Sequence, residues 1–142
     1  MDEPTKTINE AGTIRYQLGD KLHRDDGPAV EYPDGAKEWY TNGVLHREDG
    51  PAVELANGDK SWWVNGKRHR TDGPAVEWSS GSKMWYVNGK CHRTDGPAVE
   101  YHNGDKEWFV NGVKITNRNL EQYRHRYPEL INQIRTHWID DK

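Results

Sequence analysis

The strongest constraint on the fold of this chain is an internal repeat with a fixed period. Four copies of the dipeptide His-Arg, at residues 23, 46, 69 and 92, follow one another at intervals of 23 residues. In the same frame, each copy is followed by Asp-Gly-Pro-Ala-Val-Glu, then by Lys-x-Trp and an aromatic residue, and then by Asn-Gly. Self-similarity at such a period is typical of stacked supersecondary units, so the sequence predicts a repeat architecture.

Each unit has the pattern of a β-hairpin. In the second unit, residues 51–55 and 60–64 are short β-prone runs separated by a turn signal at 56–59. A second turn signal, Asn65-Gly66, leads to the next His-Arg. If successive units stack by simple translation, each unit must contain an even number of strands. Three strands per unit would reverse the strand direction in every second unit. We therefore expect two long strands per unit, with His-Arg-x-Asp-Gly as a bulge or bend in one of them.

The turn also predicts which side chains share a face. A two-residue or four-residue loop would pair Leu55 with Lys60 and Val53 with Trp62. The face that carries Val53, Leu55 and Trp62 is the more apolar, so we assign it to the core as a ladder of Trp residues. The other face carries Trp63 and its counterparts, and we expect it to be more exposed to water than the first. A three-residue loop would shift the register by one residue and undo this assignment.

The two ends differ from the units between them. Residues 12–22 match the end of a unit in part, and we interpret them as a degenerate half repeat. After Lys114, apolar residues recur every three or four positions, which predicts an amphipathic helix with Asn117 or Asn119 as its N-cap. Its apolar residues are Leu120, Tyr123, Tyr127, Ile131, Ile134 and Trp138. Pro128 predicts either a kinked helix or two short helices with Pro128 in a first turn. We expect this segment to cover the last hairpin's exposed edge; the alternative is a dimerisation or partner helix.

These patterns predict a mainly β fold: an elongated antiparallel sheet of tandem 23-residue β-hairpin repeats with a C-terminal helical cap. Residues 1–11 form an N-terminal tail, residues 12–114 the array, and residues 115–142 the cap. The array is divided into the half repeat 12–22 and the units 23–45, 46–68, 69–91 and 92–114.

Composition excludes several classes of function. The chain has 142 residues, a net charge of −3 and a mean hydropathy of −1.16. The net charge argues against nonspecific nucleic-acid binding. Apolar runs are too short to span a membrane and the start of the chain is acidic, so we expect a cytoplasmic protein without a signal peptide. The single cysteine, Cys91, permits neither an internal disulfide nor a cysteine-based zinc site.

No catalytic residue, metal site or cofactor is predicted. Hairpins that are neighbours in one sheet lie roughly 9.5 Å apart, whereas zinc ligands must lie within about 4 Å of one another, so the repeated histidines cannot share an ion. Catalysis needs one convergent site, but this chain repeats the same side chains in four separated units. We therefore expect a protein that is not an enzyme.

The repeated arginines have two interpretations. An aspartate follows each of them by two residues, at Asp26, Asp49, Asp72 and Asp95, which favours structural pairing within the loop. The alternative is a row that binds an anion, a nucleotide or a phospholipid headgroup. Its residues would be His46, Arg47, His69, Arg70, His92 and Arg93.

Differences between units separate structural positions from binding positions. A residue that is identical in all four units meets a constraint that recurs in each of them, whereas a varying residue is free to serve a partner. Four of the varying positions are binding candidates: Tyr32/Leu55/Trp78/Tyr101, Glu38/Ser61/Met84/Glu107, Val44/Lys67/Lys90/Val113 and Leu45/Arg68/Cys91/Lys114.

The second of these series lies on the wetter face beside an aromatic row. The row is Tyr40, Trp63, Tyr86 and Phe109. Aromatic residues with few charges are typical of the centre of a protein interface. We therefore predict that the row and Glu38, Ser61, Met84 and Glu107 bind a protein partner. The alternatives are that the row packs the second side of a thin sheet, or that the chain is a structural element that self-assembles, including a homodimer through a sheet edge or the C-terminal helix.

The 23-residue period, the Trp-aromatic-x-Asn-Gly closure and the glycine turns resemble MORN repeats and their variant in bacterial antitoxin-like proteins. The His-Arg-x-Asp-Gly-Pro-Ala-Val-Glu segment more closely resembles the Asp-Gly-Pro-Ala repeat proteins of tailed phages and large DNA viruses. The resemblance covers the array and implies a hairpin fold with a role in protein scaffolding or phospholipid binding. The viral likeness implies an accessory protein that acts in the host cytoplasm and inhibits a host factor, such as a defence protein.

Overall fold

The chain folds into short β-strands followed by a 3₁₀ turn and one α-helix, in a computed structural model that describes residues 3–140. The first strands are β1 (Thr5–Ile8), β2 (Ile14–Leu18) and β3 (Lys21–Leu22). The units then contribute β4 (Val30–Glu31), β5 (Lys37–Glu38), β6 (Tyr40–Thr41), β7 (Val44–Leu45), β8 (Val53–Glu54), β9 (Lys60–Ser61), β10 (Trp63–Val64), β11 (Lys67–Arg68), β12 (Val76–Glu77), β13 (Lys83–Met84), β14 (Tyr86–Val87), β15 (Lys90–Cys91), β16 (Val99–Glu100), β17 (Lys106–Glu107), β18 (Phe109–Val110) and β19 (Val113–Lys114). The 3₁₀ turn is Leu120–Tyr123 and the helix α1 is Pro128–Asp140.

The first hairpin of each unit closes through a three-residue loop. In the second unit, the Leu55 N–H donates to the Asp59 carbonyl (2.9 Å) and the Gly58 N–H donates to the Leu55 carbonyl (3.0 Å). Gly58 has φ of +97°, the left-handed conformation that glycine adopts at the end of such a loop. Leu55 therefore pairs with Asp59, and its predicted pairing with Lys60 is wrong.

This loop shifts the strand register by one residue from the prediction. Val53 lies opposite Ser61, and Glu54 lies opposite Lys60, so the predicted pairing of Val53 with Trp62 is wrong. Residues directly opposite each other in an antiparallel pair point to the same side of the sheet. Val53 therefore shares a side with Ser61, whereas Trp62 interrupts the strand between β9 and β10. The predicted core face of Val, Leu and Trp does not form.

The first hairpins join into one antiparallel sheet with the order β1-β2-β4-β5-β8-β9-β12-β13-β16-β17, and β3 pairs with β2. The second hairpins, β6–β7, β10–β11, β14–β15 and β18–β19, form four separate ribbons. Each ribbon turns through Asn-Gly with positive φ at both residues, as a two-residue turn requires. The Gly66 N–H donates to the Leu45 carbonyl of the preceding ribbon (2.9 Å), so the ribbons also stack. The predicted array of repeated antiparallel hairpins is confirmed.

The segment before the first full unit completes the array. Tyr16 occupies the position of the repeated Trp, because Arg24 stacks on its ring at 4.0 Å as Arg47 stacks on Trp39 at 3.9 Å. Residues 5–8 of the predicted N-terminal tail form β1, which pairs with β2 along its whole length and is an edge of the large sheet. Residues 1–2 of the tail and 141–142 of the cap lie outside the described residues.

The C-terminal segment packs on the last unit. Pro128 is the first residue of α1, which matches the predicted alternative of two short helices. Asn119 precedes the 3₁₀ turn but makes no capping bond to it; its side chain instead accepts from the Thr116 N–H (2.8 Å). The main buried cluster joins the helix to the last hairpin and consists of Trp108, Val110, Ile115, Leu120, Leu130, Ile131 and Ile134. No helix in the described part of the chain is long and apolar enough to cross a membrane.

Candidate functional site

The repeated histidines make the same hydrogen bond in every unit. In the second unit, the Nδ1 of His46 accepts from the Asn65 N–H at 3.0 Å, and the equivalent distances are 2.9–3.0 Å in the other three units. Because Nδ1 is the acceptor, the proton of the neutral ring lies on Nε2. Burial lowers the pKa of His92, which further favours its neutral form. The histidines thus tie each His-Arg loop to the Asn-Gly turn.

The repeated arginines close the same loop. The Arg47 guanidinium stacks 3.9 Å above the centre of the Trp39 ring. Its Nε donates to Asp49 and its Nη1 donates to the Pro51 carbonyl, both at 3.0 Å. Arg24, Arg70 and Arg93 make equivalent contacts at 2.8–3.1 Å. The predicted structural pairing of Arg with Asp is confirmed.

Grooves lie between successive His-Arg loops. One groove of about 530 Å³ is lined by the loops of the second and third units, and a groove of similar volume follows between the third and fourth. The aspartates that line these grooves are 83–86% exposed at the side chain, whereas the arginines are 22% exposed and bonded within their own loops. An anion in these grooves would meet the carboxylates first, so the geometry favours the structural interpretation of this row.

The pairing of Glu54, Lys60 and Glu77 shows on which side of the sheet the arginines lie. Lys60 lies opposite both Glu54 and Glu77. The Nη1 of Arg70, whose guanidinium stacks 4.0 Å over Trp62, lies 3.4 Å from the Glu77 carboxylate. The arginines and the repeated Trp residues therefore share the side of Glu54 and Lys60. We call it the Arg side.

The predicted protein-binding residues lie on the opposite side. Ser61 is paired with Val53 and Val76, and the Trp63 Nε1–H donates to its hydroxyl at 2.8 Å. Trp63 in turn lies opposite Arg68 in its ribbon. In the first unit, the Tyr32 hydroxyl donates to Glu38 at 2.8 Å, so the loop residue belongs to the same surface.

We call this surface the variable face, because it gathers three of the varying series together with the aromatic row. It consists of Tyr32, Glu38, Tyr40 and Leu45; Leu55, Ser61, Trp63 and Arg68; Trp78, Met84, Tyr86 and Cys91; and Tyr101, Glu107, Phe109 and Lys114. The eight residues predicted to bind a partner are all included, and all eight are half-buried. The six residues of the alternative anion site are not among them.

A row of exposed large side chains was missed by the sequence prediction. Tyr32, Leu55, Trp78 and Tyr101 are 37%, 46%, 37% and 42% exposed. The predicted register placed Leu55 in the core, but the three-residue loop moves this position to the solvent. We call these four residues the exposed row. Their variation between units was the signal in the sequence that could have identified them.

In each of the two outer units the variable face carries a carboxylate, Glu38 in the first unit and Glu107 in the fourth. The hydrogen bond to Glu38 is the main cause that raises the pKa of Tyr32 to about 12. In the fourth unit, the Tyr101 hydroxyl donates to Glu107, which lowers the pKa of this carboxyl group, and the Lys114 ammonium lies 3.0 Å from the same carboxylate. Both outer carboxylates thus have partners within their own unit.

The middle units have a different surface. Leu55 and Trp78 take the place of the tyrosines, and Ser61 and Met84 take the place of the glutamates. Arg68 lies between two aromatic rings, 5.2 Å from the centre of Trp63 and 5.5 Å from that of Tyr86. Burial raises the pKa of the nearby Cys91 thiol to about 11, so this side chain is uncharged at neutral pH. The middle of the face is therefore apolar with a single cation.

Within residues 3–140, no group of three or more His, Cys, Asp or Glu side chains is arranged to hold a metal ion. The chain matches no protein-family model. It also matches no curated protein.

Proposed function

We propose that this chain is a non-catalytic binding module that holds a protein partner on its variable face. The observation that carries the proposal is the exposed row: one large apolar side chain per unit is exposed to solvent on the same surface as the half-buried aromatic row. Exposed apolar side chains that gather on one surface are typical of interaction sites, and aromatic residues contribute strongly to protein interfaces.

The distribution of contacts supports this assignment. The positions that are identical in all units are used in folding: the histidines bind the Asn-Gly turn, and the arginines close the loop. Three of the varying series and the aromatic row lie on the opposite side of the sheet. This division is expected if one side holds the array together and the other determines which partner is bound.

The partner class that we propose is a host protein, including a factor of host defence. The likeness of the units to the Asp-Gly-Pro-Ala repeats of viral proteins motivates this choice. Under this proposal the chain inhibits its partner by covering a surface of it, and no residue of the chain takes part in a chemical step.

An affinity capture with matched baits tests the proposal. The first bait is the wild-type chain, and the second carries serine at the four exposed-row positions, Tyr32, Leu55, Trp78 and Tyr101. The control bait carries serine at one exposed lysine per unit on the Arg side, Lys37, Lys60, Lys83 and Lys106. All three baits are checked for folding by circular dichroism before exposure to host lysate.

We expect one dominant protein to be captured by the wild-type and control baits and lost with the exposed-row bait. Loss with the control bait alone would place the binding surface on the Arg side. Equal capture by all three folded baits would show that the exposed row does not bind the partner, and the proposal would be abandoned.

A further inference from the structure

The chemistry of the partner can be deduced from the middle of the variable face, on the basis of the function proposed above. We propose that the second and third units bind a peptide segment of the partner that places an acidic side chain against Arg68 and apolar side chains against Leu55 and Trp78. The surface that carries this inference has a cation between two aromatic rings, on the same face as the exposed Leu55 and Trp78.

Arg68 is placed to receive a carboxylate. It lies on β11 opposite Trp63, is exposed, and its guanidinium carbon lies 5.2 Å and 5.5 Å from two ring centres. In the described part of the chain, Arg68 makes no ion pair, unlike Lys114 at the equivalent position of the fourth unit, which lies 3.0 Å from Glu107. A guanidinium held against aromatic rings keeps its N–H groups available for bidentate binding of a carboxylate.

The surrounding charges favour an acidic side chain at this point only. Glu38 and Glu107, at the two ends of the face, already accept from Tyr32 and Tyr101, and they would repel further carboxylates there. Between them the face offers Ser61 and Met84 and no carboxylate. A partner segment that matches this pattern has one acidic residue among apolar ones.

The same charges disfavour a nucleic acid. Aromatic rings beside an arginine can also stack the bases of a single strand, but such a site needs several cations along the phosphate backbone. The variable face carries two cations, of which Lys114 is paired with Glu107, and it carries two carboxylates. A peptide with one acidic side chain fits this balance better than a chain of phosphates.

Selection from a display library of random linear peptides tests the inference. The whole wild-type chain is immobilised, and the selected peptides are synthesised and titrated by calorimetry. We expect the selected peptides to share an Asp or Glu next to aromatic or aliphatic residues. Arg68→Glu should weaken their binding by about tenfold or more, because it replaces a charge-assisted pair with repulsion.

Lys67→Glu provides the matched control. Lys67 precedes Arg68 on the same strand and is also exposed. Lys67→Glu changes the net charge by the same amount as Arg68→Glu, but the side chains of consecutive strand residues point to opposite sides. We expect this variant to bind the peptides within about twofold of the wild-type chain, since the Lys67 side chain points away from the variable face and solvent screens its charge. A peptide whose acidic residue is replaced by lysine should prefer the Arg68→Glu variant.

Three results would overturn the inference. Selected peptides that lack acidic residues, bind Arg68→Glu as well as the wild-type chain and fail to bind the exposed-row variant would leave the proposed function standing with a different partner chemistry. Peptides that bind the exposed-row variant equally well would contradict both proposals. A single-stranded oligothymidylate that binds the wild-type chain more tightly than the selected peptides would replace the peptide with a nucleic acid.

Discussion

Each repeated arginine combines a strong contact with a weak one. Arg70 stacks on Trp62 and donates to the Pro74 carbonyl at 3.0 Å, and both contacts are partly shielded from water. Its ion pair with Asp72 has the same length, but the Asp72 side chain is 86% exposed. Exposed ion pairs contribute little, so the arginine stabilises its loop mainly through stacking and the backbone carbonyl.

Substitution of these two partners should separate the contributions. Arg70→Lys retains the charge but loses the planar stacking and the forked geometry, and we expect it to lower the free energy of unfolding by about 1–2 kcal/mol. Asp72→Ala should lower it by about 1 kcal/mol at most. Urea unfolding of both variants measures these values. A larger loss for Asp72→Ala than for Arg70→Lys would show that the ion pair dominates.

The histidine contact predicts a dependence of stability on pH. Burial lowers the pKa of His92 in the folded chain, and its Nδ1 accepts from the Asn111 N–H, so the folded state favours the neutral ring. The stability contributed by this group is complete above the ordinary histidine pKa of about 6.5 and is lost as the pH falls below it. In urea titrations between neutral pH and about pH 5, the wild-type chain should therefore lose more stability than the His92→Gln variant. Equal losses in the two chains would exclude this role of His92.

At the scale of elements, most of the secondary structure could be predicted and the strand register could not. The period and the turn residues predicted the hairpins, but each full unit has four short strands in two hairpins, so the expected two long strands per unit are wrong. Pro128 predicted either a kinked helix or two short helices, and the structure has the second arrangement. Gly58 fits the left-handed position of either a two-residue or a three-residue loop, so the sequence does not distinguish them. A one-residue shift exchanges the sides of a strand, and this is why Leu55 was assigned to the core although it is 46% exposed.

The helix α1 offers a matched pair of isoleucines. Ile134 is fully buried against the last unit, whereas Ile139 is 70% exposed. Ile134→Ala should lower the free energy of unfolding by about 2–4 kcal/mol, because it leaves a cavity in the main buried cluster. Ile139→Ala should change it by about 0.5 kcal/mol or less. Equal effects of the two substitutions in urea unfolding would show that the helix does not pack on Trp108 as described.

At the scale of the whole molecule, the two sides of the sheet differ in how far their residues vary between units. The repeated His, Arg and Gly residues make the same contacts in every unit, whereas three of the varying series lie together on the variable face. The differences between units and the alternation of side chains along a strand brought the aromatic row and its neighbours into one candidate site, and the structure places them on one surface. The exposed row and Arg68 also vary between units, but this variation does not show where they lie, because their placement depends on the loop and on the ribbon pairing.

The most direct measurement is a graft of one unit's face onto its neighbour. The second unit receives the four side chains that the first unit already displays, through Leu55→Tyr, Ser61→Glu, Trp63→Tyr and Arg68→Leu. We expect the graft to keep its free energy of unfolding within about 1 kcal/mol of the wild-type value, since the same side chains are accommodated one unit away, and to lose the partner captured by the wild-type chain. A folded graft that binds the partner as strongly as the wild-type chain, or a graft that does not fold, would contradict the assignment of the variable face to binding.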